Sequence, residues 1–116
     1  MAEVTIAMID WKRVEELRSE VGEDAFDEVL DLFLEEVDEV MTRLRDAPDP
    51  ACLPSDLHFV RGSALNLGLK EFCAICRGLE HQLAQGEAVE LSALLDSYAE
   101  SRGLLMAAGK ARSRVA

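Results

Sequence analysis

Three residues whose types and spacing suit group-transfer chemistry lie close together in the middle of the chain: His58, Arg61 and Gly62. An imidazole is partly unprotonated at neutral pH, so it can act as a nucleophile and accept a phosphoryl group on a ring nitrogen. A phosphoryl group brings about two negative charges, and an arginine one helical turn away can pair with them. A glycine at the next position removes a side chain from the path of an approaching partner. The three residues therefore suit phosphoryl acceptance, provided that they lie on the surface of a helix.

The neighbouring residues predict such a helix over about residues 54–68. Proline is favoured in the first turn of a helix, and glycine just after its end. At about 100° per residue, one face collects the apolar side chains Leu57, Val60, Ala64 and Leu67. His58 points away from that face, with Arg61 and Gly62 beside it. Two simpler interpretations stay open: an exposed histidine is usually an ordinary surface residue, and Gly62 could instead permit close helix packing.

Four further helices are predicted from apolar residues at three- and four-residue steps, over about residues 10–21, 24–46, 70–85 and 90–112. No alternating strand pattern is present, so the predicted fold is all-α. It is an antiparallel four-helix bundle with an additional short N-terminal helix at one end. The predicted domain covers residues 10–112, between an N-terminal extension (1–9) and a C-terminal tail (113–116). Trp11 and Phe33 are expected on the buried faces of the first two helices.

Composition narrows the class of protein further. The chain has 116 residues, enough for one domain, and a net charge of −11. Such a charge argues against binding to nucleic acid or to an anionic membrane, because both need clustered Lys and Arg. No apolar run approaches the roughly 20 residues of a membrane span, and residues 1–9 lack the pattern of a signal peptide. Three cysteines, an odd number, fit a reducing compartment, so a cytoplasmic location is expected.

Cys73 and Cys76 form a C-x-x-C pattern within the fourth predicted helix. Three residues apart on a helix, both thiols face the core, where they are expected to act as small hydrophobes. Zinc would need further ligands, and Cys52 and His81 come without a second C-x-x-C or an H-x-x-x-H. We therefore expect no metal site and a surface position for His81. A metal- or redox-responsive domain built on the cysteines stays as an alternative.

The run His58-x-x-Arg61-Gly62-Ser63, with Gly68 ten residues after the histidine, resembles the motif of the histidine-containing phosphotransfer (HPt) family. That motif is H-x-x-[KR]-G-S followed by the same glycine. Lysine is the commonest residue at the Arg61 position, and arginine keeps its charge. The likeness extends to other segments, namely Ile9-Asp10-Trp11, Leu17, Gly22, Phe33-Leu34 and Leu79-Glu80.

The resemblance implies that His58 carries a phosphoryl group between aspartates of receiver domains, or from a histidine kinase system to a receiver. The receivers belong to response regulators or hybrid histidine kinases. Arg61 would stabilise the phosphoryl group, and Gly62 would give the partner access. The resemblance also implies no autokinase activity and no resident cofactor, with magnesium held in the partner's acidic pocket. In agreement, the sequence has no G-x-x-x-x-G-K-[ST] loop. The alternative is an adaptor bundle that keeps the fold without the chemistry.

Two further predictions concern the surroundings of His58. In the family, a polar side chain near the position of Glu80 can bond the non-reacting nitrogen of the active histidine and so fix its tautomer. The simpler alternative is that Glu80 is an edge residue reaching water. Phe59, Leu65 and Asn66 are expected to flank His58 and to form the surface on which a receiver docks. Leu65 could instead pack beneath a neighbouring helix or the N-terminal segment.

Overall fold

Five α-helices make up most of the described chain. The computed structural model describes the backbone of residues 8–115 and the side chains of residues 8–108. The helices are α1 (Trp11–Val21), α2 (Glu23–Asp46), α3 (Leu53–Leu67), α4 (Lys70–Ala84) and α5 (Ser92–Val115). Each of the five predicted helices is present, and α5 continues into the residues expected as a tail. The described residues contain no β-strand beyond an isolated bridge, which confirms the all-α prediction. None of the described helices is long and apolar enough to cross a bilayer.

The helices α2, α3, α4 and α5 form a closed bundle in which each packs against two neighbours, in the order α2, α3, α4, α5 and back to α2. Short connections make sequential helices antiparallel. The shorter helix α1 packs outside this ring, against α2 and α3. Leucine and valine fill most of the core, together with the rings of Phe26, Phe72 and Tyr98. The architecture is therefore the predicted four-helix bundle with one additional N-terminal helix.

The N-terminal segment is fixed to the loop between α3 and α4. The backbone N–H of Asp10 donates to the carbonyl of Gly68 (2.7 Å), and that of Lys70 donates to the carbonyl of Met8 (3.1 Å). Ile9 is buried and pairs with Leu69 in an antiparallel bridge. Two residues of the expected extension, Met8 and Ile9, therefore pack with the bundle. Residues 1–7 of that extension lie outside the described residues.

One expected core position, Trp11, is exposed in the structure, and a second, Phe33, packs only at the edge of the core. Trp11 is the first residue of α1 and is 45% exposed, because the following turns of the helix, rather than its first residue, face the bundle. Phe33 is only half-buried, whereas Leu34 is buried. The buried stripe of α2 runs instead through Leu30, Leu34, Val37, Met41 and Leu44. Phe33 lies at the edge of that stripe, which is where a helical period of 3.6 residues places it.

The rotation of α3 about its axis decides what the helix presents to solvent. Its four predicted core residues are all at most 1% exposed, namely Leu57, Val60, Ala64 and Leu67. A salt bridge of 2.8 Å from Arg43 on α2 to Asp56 holds its first turn. Burying one face in this way leaves His58 on the opposite face, because the two sets of positions lie about half a turn apart.

Candidate functional site

His58 lies in the first half of α3, and its side chain is 76% exposed. The ring is therefore accessible to another macromolecule, as the helical wheel predicted. Within the described part of the chain, its polar contacts are made through Nδ1, towards Arg61 and Glu80. Nε2 takes part in neither of these contacts, so it is the nitrogen left for an incoming group.

Arg61 lies between His58 and Glu80 and contacts both. Its Nε donates to Oε2 of Glu80 at 2.5 Å, and its Nη2 lies 3.2 Å from Nδ1 of His58. Oε1 of Glu80 is 3.8 Å from the same Nδ1, which is too long for a hydrogen bond. Glu80 thus lies near His58, as expected if it orients the ring. The residue within hydrogen-bond distance of the ring, however, is Arg61.

Gly62 occupies an exposed position on α3, and a Cβ atom added there would meet no atom of the described residues within 4 Å. Close packing among the described residues therefore does not require a glycine at this position. Glycine in the interior of a helix costs about 1 kcal/mol relative to alanine. A functional reason for the glycine is access to His58, because a longer side chain at position 62 would extend into the space through which a partner reaches the ring.

The three predicted docking residues are exposed on α3: Phe59 (41%), Leu65 (48%) and Asn66. The alternative that Leu65 packs beneath a neighbouring element is not what the structure shows. Instead, Leu65 lines a shallow groove of about 420 Å³ between α3, α4 and the start of α1. The backbone carbonyl of Asn66 accepts a hydrogen bond of 3.2 Å from Arg13.

Two cations near this groove were not predicted from the sequence. Lys70 and Arg77 on α4 line it together with Leu65. Arg77 lies three residues before Glu80, so the two side chains share one side of α4, and that spacing could have identified it. Together with Arg61, they place three cations near this part of α3 and α4, where the carboxylates of Asp10 and Glu80 also lie. Cations favour phosphoryl groups and acidic partners.

The cysteines do not assemble into a comparable site. All three are free, and Cys73 and Cys76 are buried. Burial raises the pKa of the Cys76 thiol to about 12, so it stays protonated at neutral pH and is a poor metal ligand or nucleophile. The described residues contain no group of three or more His, Cys, Asp or Glu that could hold a metal ion. His81 is exposed on α4, as expected.

Comparison with known proteins agrees with the fold. The family model of the Hpt domain matches residues 28–108, which is more than half of the chain. Neither a curated protein nor a solved structure matches the chain significantly. The chain therefore belongs to the Hpt domain family, whose members transfer phosphoryl groups through a histidine in phosphorelays and interact with receiver or kinase proteins. Hpt domains are phosphoryl carriers.

Proposed function

We propose that this protein carries a phosphoryl group on Nε2 of His58, between the aspartates of receiver domains or from a histidine kinase system to a receiver. The observation that supports this most directly is an imidazole that is 76% exposed, with a guanidinium 3.2 Å from its other nitrogen. The open helix surface at Gly62 lies beside the ring. An ordinary surface histidine is not expected to combine an exposed ring, a guanidinium contact and an open helix surface beside it.

In this proposal Arg61 pairs with the phosphoryl oxygens, since guanidinium forms charge-assisted and often bidentate bonds with phosphate. Glu80 holds Arg61 through their 2.5 Å contact and lies close to the ring. The protein acts as a carrier without autokinase activity and needs no cofactor of its own. Magnesium belongs to the acidic pocket of the receiver, and both proteins are expected in the cytoplasm.

The partner docks on the surface formed by Phe59, Leu65 and Asn66, with the groove beside Leu65 as its continuation on α4. Exposed apolar side chains next to a reactive group are often an interface. A receiver brings an acidic pocket to His58, and Arg61, Lys70 and Arg77 supply complementary charge. The acidic faces elsewhere on this chain would repel the same pocket.

The proposal is tested by incubating the purified protein with receiver domains of its source organism that have been phosphorylated by a small phosphodonor. We expect label to move from at least one receiver to this protein and to be acid-labile and base-stable, as phosphohistidine is. Base-labile label would indicate an acyl phosphate on one of the many carboxylates instead. Absence of transfer from every receiver and kinase tested would contradict a carrier function and favour an adaptor bundle.

Gly62→Gln is expected to block transfer while stabilising the fold. The new side chain would extend into the open space beside His58, and helix propensity favours glutamine over glycine by roughly 0.5–1 kcal/mol. Transfer rate and urea unfolding of the same variant provide the measurement.

Gly78→Gln is a matched control, because Gly78 is also exposed in a helix with no atom near its Cβ position. It lies on the other side of α4 from Glu80, since two helical residues are about 200° apart. It should gain similar stability and keep normal transfer. Full-rate transfer by Gly62→Gln would show that access does not explain the glycine.

Leu65→Asp is expected to weaken receiver binding and transfer about tenfold or more, as loss of a central apolar contact typically does. The introduced charge also opposes the acidic pocket of the receiver. Folding should change by no more than about 0.5 kcal/mol, because the residue is exposed. On one preparation, receiver titration measures binding, a transfer assay measures the rate of phosphotransfer, and thermal melting measures stability.

Leu104→Asp provides the control, since Leu104 is similarly exposed on α5, and α5 and α3 make no contact among the described residues. It should melt and transfer like the unmodified protein. If Leu65→Asp transfers normally, or if Leu104→Asp is equally impaired, Leu65 is not part of the docking surface.

A further inference from the structure

The hydrogen bond between Arg61 and His58 determines which nitrogen of the neutral ring carries the proton. A guanidinium has five N–H donors and no acceptor. At the 3.2 Å contact between Nη2 and Nδ1, the ring nitrogen must therefore accept. A neutral imidazole with an accepting Nδ1 has its proton on Nε2. The unphosphorylated protein consequently holds its exposed nitrogen in the protonated form, without the lone pair that an attack on phosphorus requires.

Glu80 offers the ring an alternative partner of opposite character. Its Oε1 is 3.8 Å from Nδ1, so a side-chain movement of about 1 Å would bring it within the usual hydrogen-bond distance. An ionised carboxylate only accepts hydrogen bonds, and it would therefore bind the tautomer that carries its proton on Nδ1. That tautomer has its lone pair on Nε2, the nitrogen facing solvent.

Arg61 and Glu80 are sheltered enough for this competition to affect the ring. Their side chains are 24% and 25% exposed, against 76% for His58. Charged groups that are partly withdrawn from water interact more strongly than fully solvated ones. Arg61 is also the group best placed to turn towards a phosphoryl group on the solvent side, since it lies on the same helix as His58, one turn further on.

We propose that Arg61 gates the tautomer of His58. This inference rests on the proposed role of His58 as phosphoryl acceptor. In the free protein, Arg61 occupies Nδ1 and keeps the proton on Nε2. When a receiver delivers its phosphoryl group, Arg61 turns to the phosphoryl oxygens and releases Nδ1. Glu80 then accepts the N–H of the other tautomer, which forms by proton exchange with water, and Nε2 becomes the nucleophile.

The transfer step balances in charge and in protons. The bond between Nε2 and phosphorus forms while the bond between phosphorus and the aspartyl oxygen of the receiver breaks. The electron pair of the broken bond stays on the aspartate, which leaves as a carboxylate. Nδ1 keeps its proton, so the ring acquires a positive charge. Glu80 stabilises that charge and Arg61 neutralises the phosphoryl group, so each of the two residues has a partner after the step.

The tautomer is measured by long-range proton–nitrogen NMR correlations of the histidine rings in uniformly ¹⁵N-labelled, unphosphorylated full-length protein. Spectra are recorded at a pH where titration shows the ring to be neutral. We expect Nδ1 of His58 to resonate as an unprotonated nitrogen and Nε2 as a protonated one. In Arg61→Ala, Nδ1 should shift towards the protonated position, because Glu80 then accepts a hydrogen bond from the Nδ1–H of the other tautomer. Adding Glu80→Ala to Arg61→Ala removes the acceptor next to Nδ1 and should reverse much of that shift.

His81 serves as an internal control in the same spectra, since it is exposed and lies outside the contacts of Arg61. Its nitrogen shifts should not change in any of the variants. A protonated Nδ1 in the unmodified protein would contradict the gate, as would His58 shifts that are the same with and without Arg61.

Failure of the gate and failure of the proposed function are distinguishable, because the spectra need no phosphate. If the protein accepts phosphate at His58 but the tautomer does not respond to Arg61, only the gate is wrong. If the tautomer responds but no receiver transfers phosphate, the contacts exist and the carrier function is wrong.

Discussion

His58→Gln is expected to reduce phosphoryl acceptance from a phosphorylated receiver to the level seen without added protein. The amide nitrogen of glutamine is delocalised into its carbonyl and is not a nucleophile, so no later step can compensate. The fold should be unchanged, because the side chain is 76% exposed and its polar contacts with described residues are to Arg61 and Glu80, outside the apolar core. Acid-labile label and thermal melting, measured on the same sample, separate loss of chemistry from loss of structure.

His81→Gln is the matched control, because the chain contains two histidines and both are exposed on helices. This variant should accept phosphate at the normal rate, since His81 has neither a cation three residues later nor a glycine four residues later. If His58→Gln retained transfer and His81→Gln lost it, the phosphoryl-accepting residue would be His81 on α4.

Gly68→Ala is expected to cause the largest loss of stability among the glycine substitutions. Gly68 ends α3 with φ of +76°, and a left-handed backbone costs other residues about 1–2 kcal/mol. A Cβ atom would also lie only 2.7 Å from the backbone oxygen of Asp10. Relieving that clash would disturb the hydrogen bond from Asp10 to the carbonyl of Gly68. Urea unfolding should therefore show a decrease of about 2 kcal/mol or more.

Gly62→Ala, on the same helix, should have the opposite sign. Its Cβ would meet no atom within 4 Å, and alanine is the better helix former by about 1 kcal/mol. Equal effects of the two substitutions would contradict the separate roles of the two glycines, which are backbone geometry at Gly68 and access to His58 at Gly62.

Much of the fold could be predicted because local periodicity fixes the faces of single helices. The four apolar positions of α3 predicted its buried side, and with it the exposure of His58. Periodicity was less accurate at the edges, where Phe33 and Leu34 on α2 differ in burial although they are adjacent. A helical wheel of one helix cannot show which of two adjacent residues at the edge of the apolar stripe is buried. The helices that pack against it determine how far the buried area extends.

Contacts between helices could not be derived from the sequence in the same way. The wheel of α3 placed Arg61 beside His58, but the position of Glu80 depends on the rotation and height of α4. Only the folded chain shows that Arg61 lies between the histidine and the carboxylate. The pairing of Ile9 with Leu69 likewise joins residues far apart in sequence, which is why periodicity alone predicts the N-terminal segment as an extension.

The central claim is tested most directly by phosphorus NMR of the ¹⁵N-histidine-labelled protein after transfer from a phosphorylated receiver. We predict a single phosphoramidate signal whose phosphorus couples to Nε2 of His58. A phosphorus atom bonded to a carboxylate, to His81 or to Nδ1 of His58 would contradict it.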